Sequence, residues 1–399
     1  MRIDTCSIDL PFRTAFVHAS ARRKQTAAVA VRICDDDRVA GYGEGCPRDY
    51  VTGEDVPGAL EWLDRHAADW ARQAGTLAGL QALIALESDE IDRHPAAFCA
   101  LELALLDRLA RRHKRSVEAL LGLQTLKAPQ PVTAVLGASN PFLFWLQSRR
   151  FRQAGMSDVK LKLTGDAGRD LRRVRGLAWA RLIRVDGNNL WLNASEAATG
   201  LHPLLPHIWA VEEPLAARDY IGLIELQRAT GLTVILDESL TCDHDLDAFL
   251  ALKPPATGFI VNLRLSKLGG LLRTLALAER LQSAGFGLIL GSQVGETSLL
   301  ARAGLAAAAN LNLRSYEGAY GLHLLARDAF TPTVTFTGDG HIDPAGLDLC
   351  APGWGLKPTA ELMAWLDGGS RPRSSPSPQG PGGTSRVPYG RKRPGHGSA

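Results

Sequence analysis

From about Val132 onward, short apolar runs alternate with helix-like stretches, and this rhythm leaves few architectures open to the chain. The runs are VTAVLG, DVKLKL, LIRVDG, IWAVEEP, LTVILDE, GFIVNLRL, FGLILGSQ and LNLRSYEG. Between most of them lie stretches such as GGLLRTLALAERLQSAG and ETSLLARAGLAAAAN. Parallel strands need a crossover of about a dozen or more residues, usually a helix. About eight units in this order predict an α/β fold of the (β/α)8 TIM-barrel type.

Three acids recur just past such runs: Asp186 in LIRVDGNN, Glu212 in IWAVEEPL and Asp237 in TVILDESL, spaced by 26 and 25 residues. That interval holds one strand, one helix and two loops, so each carboxylate tops a successive strand, where barrel active sites are built. Converging carboxylates repel one another unless a cation holds them, and an oxygen-only ligand set favours Mg²⁺. A single strand-terminal Asp is often no more than a helix N-cap. Three in register point to a metal centre.

Ahead of the barrel, IDTCSIDL, AAVAVRI and RVAGYGEG read as an antiparallel meander, with a turn at Asp35-Asp36-Asp37. The pattern turns helical from about Gly53. Its clearest helix is PAAFCALELALLDRLARRH, with Pro95 in the first turn and an apolar face through Phe98, Leu101, Leu105 and Leu109. The expected organisation is an N-terminal α+β domain over 1–130, the barrel over 131–350, a C-terminal segment over 351–367 and a tail over 368–399. The tail is rich in Gly, Pro, Ser and Arg and cannot offset its ordering entropy, so it is expected to be disordered.

The net charge of +3 hides an asymmetry, because the tail carries Arg371, Arg373, Arg386, Arg391, Lys392 and Arg393 and no acid. Without those six charges the body stands at −3, which argues against nucleic acid as a partner. The six cysteines are scattered and form no CxxC pair, pointing to a reducing cytoplasm. No apolar run approaches the roughly 18 residues of a membrane span. MRIDTCSIDLPF lacks the pattern of a signal peptide. The expected setting is therefore cytoplasmic, without a membrane.

Side chains alternate across a strand, so Lys160 and Lys162 of DVKLKL share one face with Asp158. Two lysines in a barrel mouth need something there that wants positive charge or a base. A nearby Mg²⁺ and their mutual repulsion would lower a lysine pKa until it can take a proton from carbon. In GFIVNLRLSKLGG, Arg264 faces the mouth opposite Lys162, as an anion clamp and not a base. Lys267 reads as a structural loop residue. Further substrate-binding candidates are Asn188 in VDGNN, Gln293 and Glu296 in GSQVGET, and Glu317 in RSYEG. FRTAFVHAS and GYGEGCPRDYVTGED look like mobile polar loops whose His18, Arg48 and Tyr50 would close over a substrate.

Taken in order, GYGEGCPRDYVTGE, the lysine pair, VDGNNLW, VEEP, LDES, NLRLSKLGG and GSQVGETSLLARAGL resemble the enolase superfamily. The resemblance is to its mandelate racemase/muconate lactonizing enzyme branch, and it runs from about Met1 to Trp365. It implies a capping domain over a modified barrel; the 351–367 segment is expected to return to the cap or to end in the short helix TAELMAWL. It also implies Mg²⁺ held by Asp186, Glu212 and Asp237 and gripping the carboxylate of a small substrate. Lys162 would remove the proton α to that carboxylate, and Lys160 would hold the carboxylate and the developing enolate. Even-numbered homo-oligomers are common for such barrels by resemblance.

Racemases of this branch carry a second lysine where this chain has Arg264. The departure makes a one-base reaction, of cycloisomerase or lyase type, the first expectation. An amino-acid-derivative racemase or epimerase, with Arg264 or Lys267 as its second base, is the alternative, and a catalytically silent binding module the third. The segment RSYEGAYGLHLL lacks the Asp-x-Asp with which dipeptide epimerases of the branch hold an ammonium, which argues against a dipeptide.

Overall fold

The computed structural model describes residues 1–18, 21–318 and 320–368, without the side chains of residues 14–23. The basic tail, apart from Gly368, lies outside the described residues. Strands β1 (Arg2–Ile8), β2 (Pro11–His18), β3 (Ala21–Gln25), β4 (Ala28–Cys34) and β5 (Ala40–Gly45) open the chain. β1, β4 and β5 form the antiparallel meander, in that order, and β2 pairs with β3 as a separate hairpin. FRTAFVHAS, expected as a polar loop, is therefore mostly strand. Among the described residues its ladder partner is β3, with an isolated bridge from Phe12 to Leu325, so no core-facing alternation marks it in the sequence.

Helices α1 (Val56–Gln73), α2 (Leu77–Leu86), α3 (Ser88–Arg93), α4 (Pro95–Arg112) and α5 (Val117–Leu121) complete this unit. Pro95 occupies the first turn of α4, and the Glu54 carboxylate accepts from the Ala96 and Ala97 amides there. One apolar face was the expectation for α4, yet it is buried all round from Pro95 to Ala110. The reason lies in β5. Gly41, Gly43 and Gly45 face the α4 backbone, where a Cβ would come within 2.2, 1.9 and 1.9 Å of the carbonyl oxygens of Ala104, Ala100 and Ala96. Two strand residues advance about 6.8 Å and four helix residues about 6 Å. Glycines at every second position thus keep step with alanines at every fourth, and helix and strand touch along their backbones.

The barrel follows a two-residue strand, β6 (Gln130–Pro131). Its elements are β7 (Ala134–Leu136), α6 (Pro141–Gln153), β8 (Asp158–Lys162), α7 (Ala167–Arg175), β9 (Leu182–Asp186), α8 (Ala194–Leu201), β10 (Ala210–Glu212) and α9 (Tyr220–Thr230). They continue with β11 (Thr233–Leu236), α10 (Asp243–Ala251), β12 (Phe259–Leu263), α11 (Leu265–Leu268), α12 (Leu271–Ser283), β13 (Gly287–Leu290), α13 (Ser298–Ala308) and β14 (Leu313–Tyr316). The eight strands β7–β14 form one parallel sheet in chain order. Ala210, Ile235, Ile260 and Ile289 pack as a small separate apolar cluster contributed by four neighbouring strands.

Among the described residues no α-helix lies between β14 and residue 360, so the last strand lacks the helix a regular repeat would supply. The two ends of the sheet meet through a backbone bond from the Thr133 amide to the Tyr316 carbonyl, 2.8 Å. The Tyr320 hydroxyl spans the same seam, donating to the Thr133 carbonyl and accepting from the Val135 amide, both at 2.8 Å.

Buried carboxylates join the two units. Glu44 accepts from Thr297 and Leu300 at the start of α13, and Glu102 from the Leu271 and Leu272 amides at the start of α12. Anions are favoured at helix N-termini, but burial dominates, pushing Glu44, Glu54 and Glu102 up to about 7. The last helix, α14 (Ala360–Leu366), packs on β1, and Arg32 donates to Asp367 just beyond it at 2.7 Å. No helix among the described residues is long and apolar enough to cross a membrane.

Candidate active site

The register of the sheet builds the site. Lys162 on β8 lies directly beside Asp186 on β9, and Asp186 directly beside Glu212 on β10. Asp237 follows the last residue of β11. Neighbours in parallel register point the same way, so one lysine and two carboxylates share a level at the C-terminal ends of adjacent strands. A cavity of about 880 Å³ opens there, lined among others by Lys160, Lys162, Asn188, Glu238, Arg264, Gln293, Glu296 and Glu317.

The two lysines differ in their surroundings. Lys160 is locked, with its Nζ 2.7 Å from Glu212 Oε1, 3.1 Å from Glu317 Oε2 and 3.5 Å from Asp186 Oδ2. Burial alone would depress its ammonium, but Glu212, Glu317 and Asp186 outweigh burial and hold its pKa above the ordinary lysine value. The sequence-based expectation of a lowered pKa is reversed for this lysine, because three carboxylates surround it. Lys162 donates to Asp186 Oδ2 at 3.0 Å and to Asn188 Oδ1 at 2.9 Å. Its side chain is 13% exposed against 4% for Lys160, so Lys162 is the more open of the two lysines that line the cavity. Asp186 in turn sits well below the usual carboxylate range, because Lys162 and Lys160 overcome its burial.

Across the mouth, Arg264 Nη1 donates to Gln293 Oε1 at 3.1 Å, and its Nη2 lies 3.9 Å from Glu212 Oε1 and in an ion pair with Asp237. Lys267 is wholly buried and is not a cavity residue. Its Nζ donates to the Asp237 and Asn262 carbonyls, both at 2.7 Å, and to Asp237 Oδ1 at 3.1 Å. It braces the end of β11, and a role as second base is ruled out by its lack of access.

The expected substrate-binding residues divide. Tyr50, Asn188, Gln293, Glu296 and Glu317 all line the cavity. Glu296 accepts from the Gln293 amide, and burial pushes it up to about 8. Arg48 is a correction: it is buried away from the cavity, giving its guanidinium to the carbonyls of Ala27, Pro47 and Val294, each at 2.6 Å. It stitches the N-terminal unit to the loop after β13, and nothing in PRDY distinguishes such a clamp from a substrate ligand. His18 ends β2, and its side chain lies outside the described residues.

Two participants escaped the sequence reading. Arg184 is fully buried, donating to both oxygens of Asp158 at 3.0 and 2.9 Å and pairing with Glu317. It stands two residues before Asp186, hence on the same strand face, and that spacing was the available signal. Glu238 follows Asp237 directly and lines the cavity. Burial, with Glu213 and Asp186 nearby, raises it to about 8.

The carboxylate trio partly fits a magnesium ion. Asp186, Glu212 and Asp237 supply hard oxygens, and Glu212 Oε2 is buried without a hydrogen-bond partner, the mark of a missing ligand, whereas Asp237 Oδ2 is taken by Arg264. Their arrangement departs from the expected convergence. Among the described residues no three His, Cys, Asp or Glu side chains close around a point where an ion would sit. Lys160 bridges Asp186 and Glu212, and Arg264 reaches Glu212 and Asp237. The cations that relieve the repulsion here are side chains, and an ion on the trio requires Arg264 to withdraw from Asp237.

A family model described as enolase C-terminal domain-like matches residues 146–362. The chain is 27% identical over 305 residues to N-succinyl-L-Arg/Lys racemase of Bacillus cereus, covering 75% of this chain and 80% of that protein. It is 29% identical over 336 residues to L-Lys-D/L-Arg epimerase of Methylococcus capsulatus, covering 82% and 90%. In fold it is similar to muconate lactonizing enzyme from Pseudomonas fluorescens complexed with muconolactone, with a TM-score of 0.80, 24% identity and coverage of 92% and 98%. Curated relatives named as racemases and epimerases favour the alternative reading of the reaction over the cycloisomerase or lyase expectation.

Proposed function

Because the chain belongs to the enolase C-terminal domain-like family, we propose that it is an isomerase that takes and returns the proton α to a substrate carboxylate. The preferred substrate class is an amino-acid derivative, and the reaction a racemisation or epimerisation. The relatives named above support this reading. The observation that carries it is the unequal lysine pair: Lys160 tied to three carboxylates, Lys162 presented to the cavity.

In this reading Lys162 Nζ accepts the α-proton, and Asp186 and Asn188 hold that nitrogen in place. Lys160 stays cationic beside the substrate carboxylate. Held by Asp186, Glu212 and Asp237, Mg²⁺ would supply fixed positive charge against the negative charge developing on that carboxylate. Arg264, released from Asp237, adds a second cation on the far side of the mouth.

Arg264 also favours a second reading. Inversion at carbon needs a proton donor and acceptor on each face, and a guanidinium is a poor acceptor. With Lys162 alone, the reaction is one-sided, as in a cycloisomerisation or elimination. Solvent deuterium exchange separates the two. Each enantiomer of a panel of N-acylated amino acids is incubated with the Mg²⁺-loaded protein in D₂O and followed by NMR. The racemase reading expects label at the α-carbon from both enantiomers, and the one-base reading from one only. Absence of exchange from every member of the panel would overturn both.

A further inference from the structure

Helix α6 turns an apolar stripe outward. An outer barrel helix is expected to bury its large apolar residues and to present charge to solvent. α6 does bury Phe144 and Ser148, which meet α7 and the turn after it: the Arg173 guanidinium lies 4.9 Å over the Phe144 ring, and Trp179 Nε1 donates to Ser148 Oγ at 3.0 Å. On the outer side, however, Phe142 and Trp145 are 67% and 52% exposed. They are three residues apart, and the exposed Arg149 and Arg152 continue the same helical stripe. The stripe is ordered. The Phe142 and Trp145 rings lie 6.3 Å apart and 28° from parallel, and the Arg149 guanidinium sits 5.6 Å over Trp145. None of these four side chains lines the cavity.

Charge around the stripe has one sign. Between residues 141 and 181 the exposed charged side chains are Arg149, Arg150, Arg152, Arg172, Arg175 and Arg181, against a single acid, Asp166. The body as a whole is net negative, so this face is a local reversal. Exposed aromatic rings beside arginines, with almost no acid, suit a surface that is apolar inside and anionic at its edge. A second copy offering the same face about a two-fold axis would set arginine against arginine. The chain also carries a second element of the same sign. Residues 369–399, outside the described residues, hold six basic side chains and no acid. One continuous anionic sheet answers both elements at once, whereas a protein partner would need a separate acidic site for each.

We propose that the α6–α7 face docks the protein on an anionic lipid surface. Phe142 and Trp145 enter the headgroup layer, the arginines of α6 and α7 meet lipid phosphates, and the basic tail adds attraction to the same surface. No helix among the described residues is long and apolar enough to cross a membrane, and none needs to be, because such a contact stays at headgroup level. The expectation of no membrane partner rested on the lack of a spanning run, which does not bear on a surface contact. The proposal uses no residue of the mouth and stands apart from the reading of the reaction.

Co-sedimentation of the full chain with lipid vesicles tests it. Vesicles of phosphatidylcholine alone are compared with vesicles of equal parts phosphatidylcholine and phosphatidylglycerol. Binding to the anionic vesicles is expected to be at least ~tenfold tighter at low salt, with the difference shrinking as salt rises. Phe142→Ser combined with Trp145→Ser, both at exposed positions, is expected to weaken that binding at least ~fivefold with the unfolding temperature unchanged. Arg371→Gln, Arg373→Gln, Arg386→Gln, Arg391→Gln, Lys392→Gln and Arg393→Gln, made together, are expected to weaken binding while leaving its dependence on Phe142 and Trp145 intact. Failure to bind anionic vesicles, equal binding to both kinds, binding unchanged by the Phe142→Ser and Trp145→Ser pair, or binding abolished by the tail substitutions alone would overturn the proposal. So would a wild-type dimer that the Phe142→Ser and Trp145→Ser pair splits into monomers, since a second copy would then cover this face.

Discussion

Lys162→Ala is expected to lower turnover at least ~10³-fold, a barrier increase of about 4 kcal/mol, while the fold stays intact. Lys162 is the more exposed of the two lysines lining the cavity, and its removal takes away the group placed to accept a proton from carbon. The fold survives because Asp186 keeps Lys160 within 3.5 Å and the Asn188 amide at 3.1 Å. Turnover is measured on whichever substrate exchanges its α-proton, with circular dichroism and thermal unfolding alongside. Activity within tenfold of wild type would remove Lys162 from the chemistry. Lys160→Ala would be a poor substitute for this test. It strands Glu212, Glu317 and Asp186 in the interior, so lost activity there would not separate catalysis from folding.

The second large effect concerns stability. Gly43→Ala is expected to destabilise the protein by about 3 kcal/mol or more, at the upper end of overpacking costs. The added methyl would sit 1.9 Å from the Ala100 carbonyl oxygen and 2.6 Å from the Ala104 amide nitrogen. Both are helix backbone, so no side-chain rotation relieves the clash, and α4 must lift from β5. A lower urea midpoint, or loss of soluble protein, reads the effect. Gly53→Ala serves as the control, since nothing lies within 4 Å of its Cβ position. Its left-handed φ of 78° still imposes a modest penalty. Equal stability of the two variants would mean that helix and strand are not in backbone contact.

The barrel was legible because its signals are local and periodic. Each strand announces itself by an apolar run, and an acid at its end announces the mouth, so Asp186, Glu212 and Asp237 could be placed on adjacent strands from spacing alone. The lysine pair followed from alternation. The partners of each charge were not legible, because they depend on contacts across the ring. Lys160 meets Glu317 over a separation of 157 residues, and no local pattern encodes that. For the same reason Arg48 read as a substrate ligand although it serves three backbone carbonyls, and Arg184 was passed over although it anchors Glu317. The seam was hidden for a different reason. Among the described residues no α-helix lies between β14 and residue 360, and no local pattern in the sequence marks that gap.

The cap shows the opposite balance. GYGEG reads both as the end of a strand and as the start of a polar loop; it is the buried strand β5, and the loop begins only after Gly45. Its function appears only when α4 lies across it and the two repeats, of two and of four residues, coincide. α4 itself is apolar enough to suggest one buried face, but only contact with both β5 and the barrel helices explains why it is buried on every side.

The account depends most on Asp186, Glu212 and Asp237 acting together as a cation site that Lys160 and Arg264 now share. Calorimetric titration of the protein with Mg²⁺ tests this most directly. One saturable site per chain is predicted for the wild type, lost in Glu212→Gln, whose amide retains the size of the side chain but not its charge. No saturable binding to the wild type, or undiminished binding to Glu212→Gln, would contradict it and leave a barrel of paired charges that holds no ion.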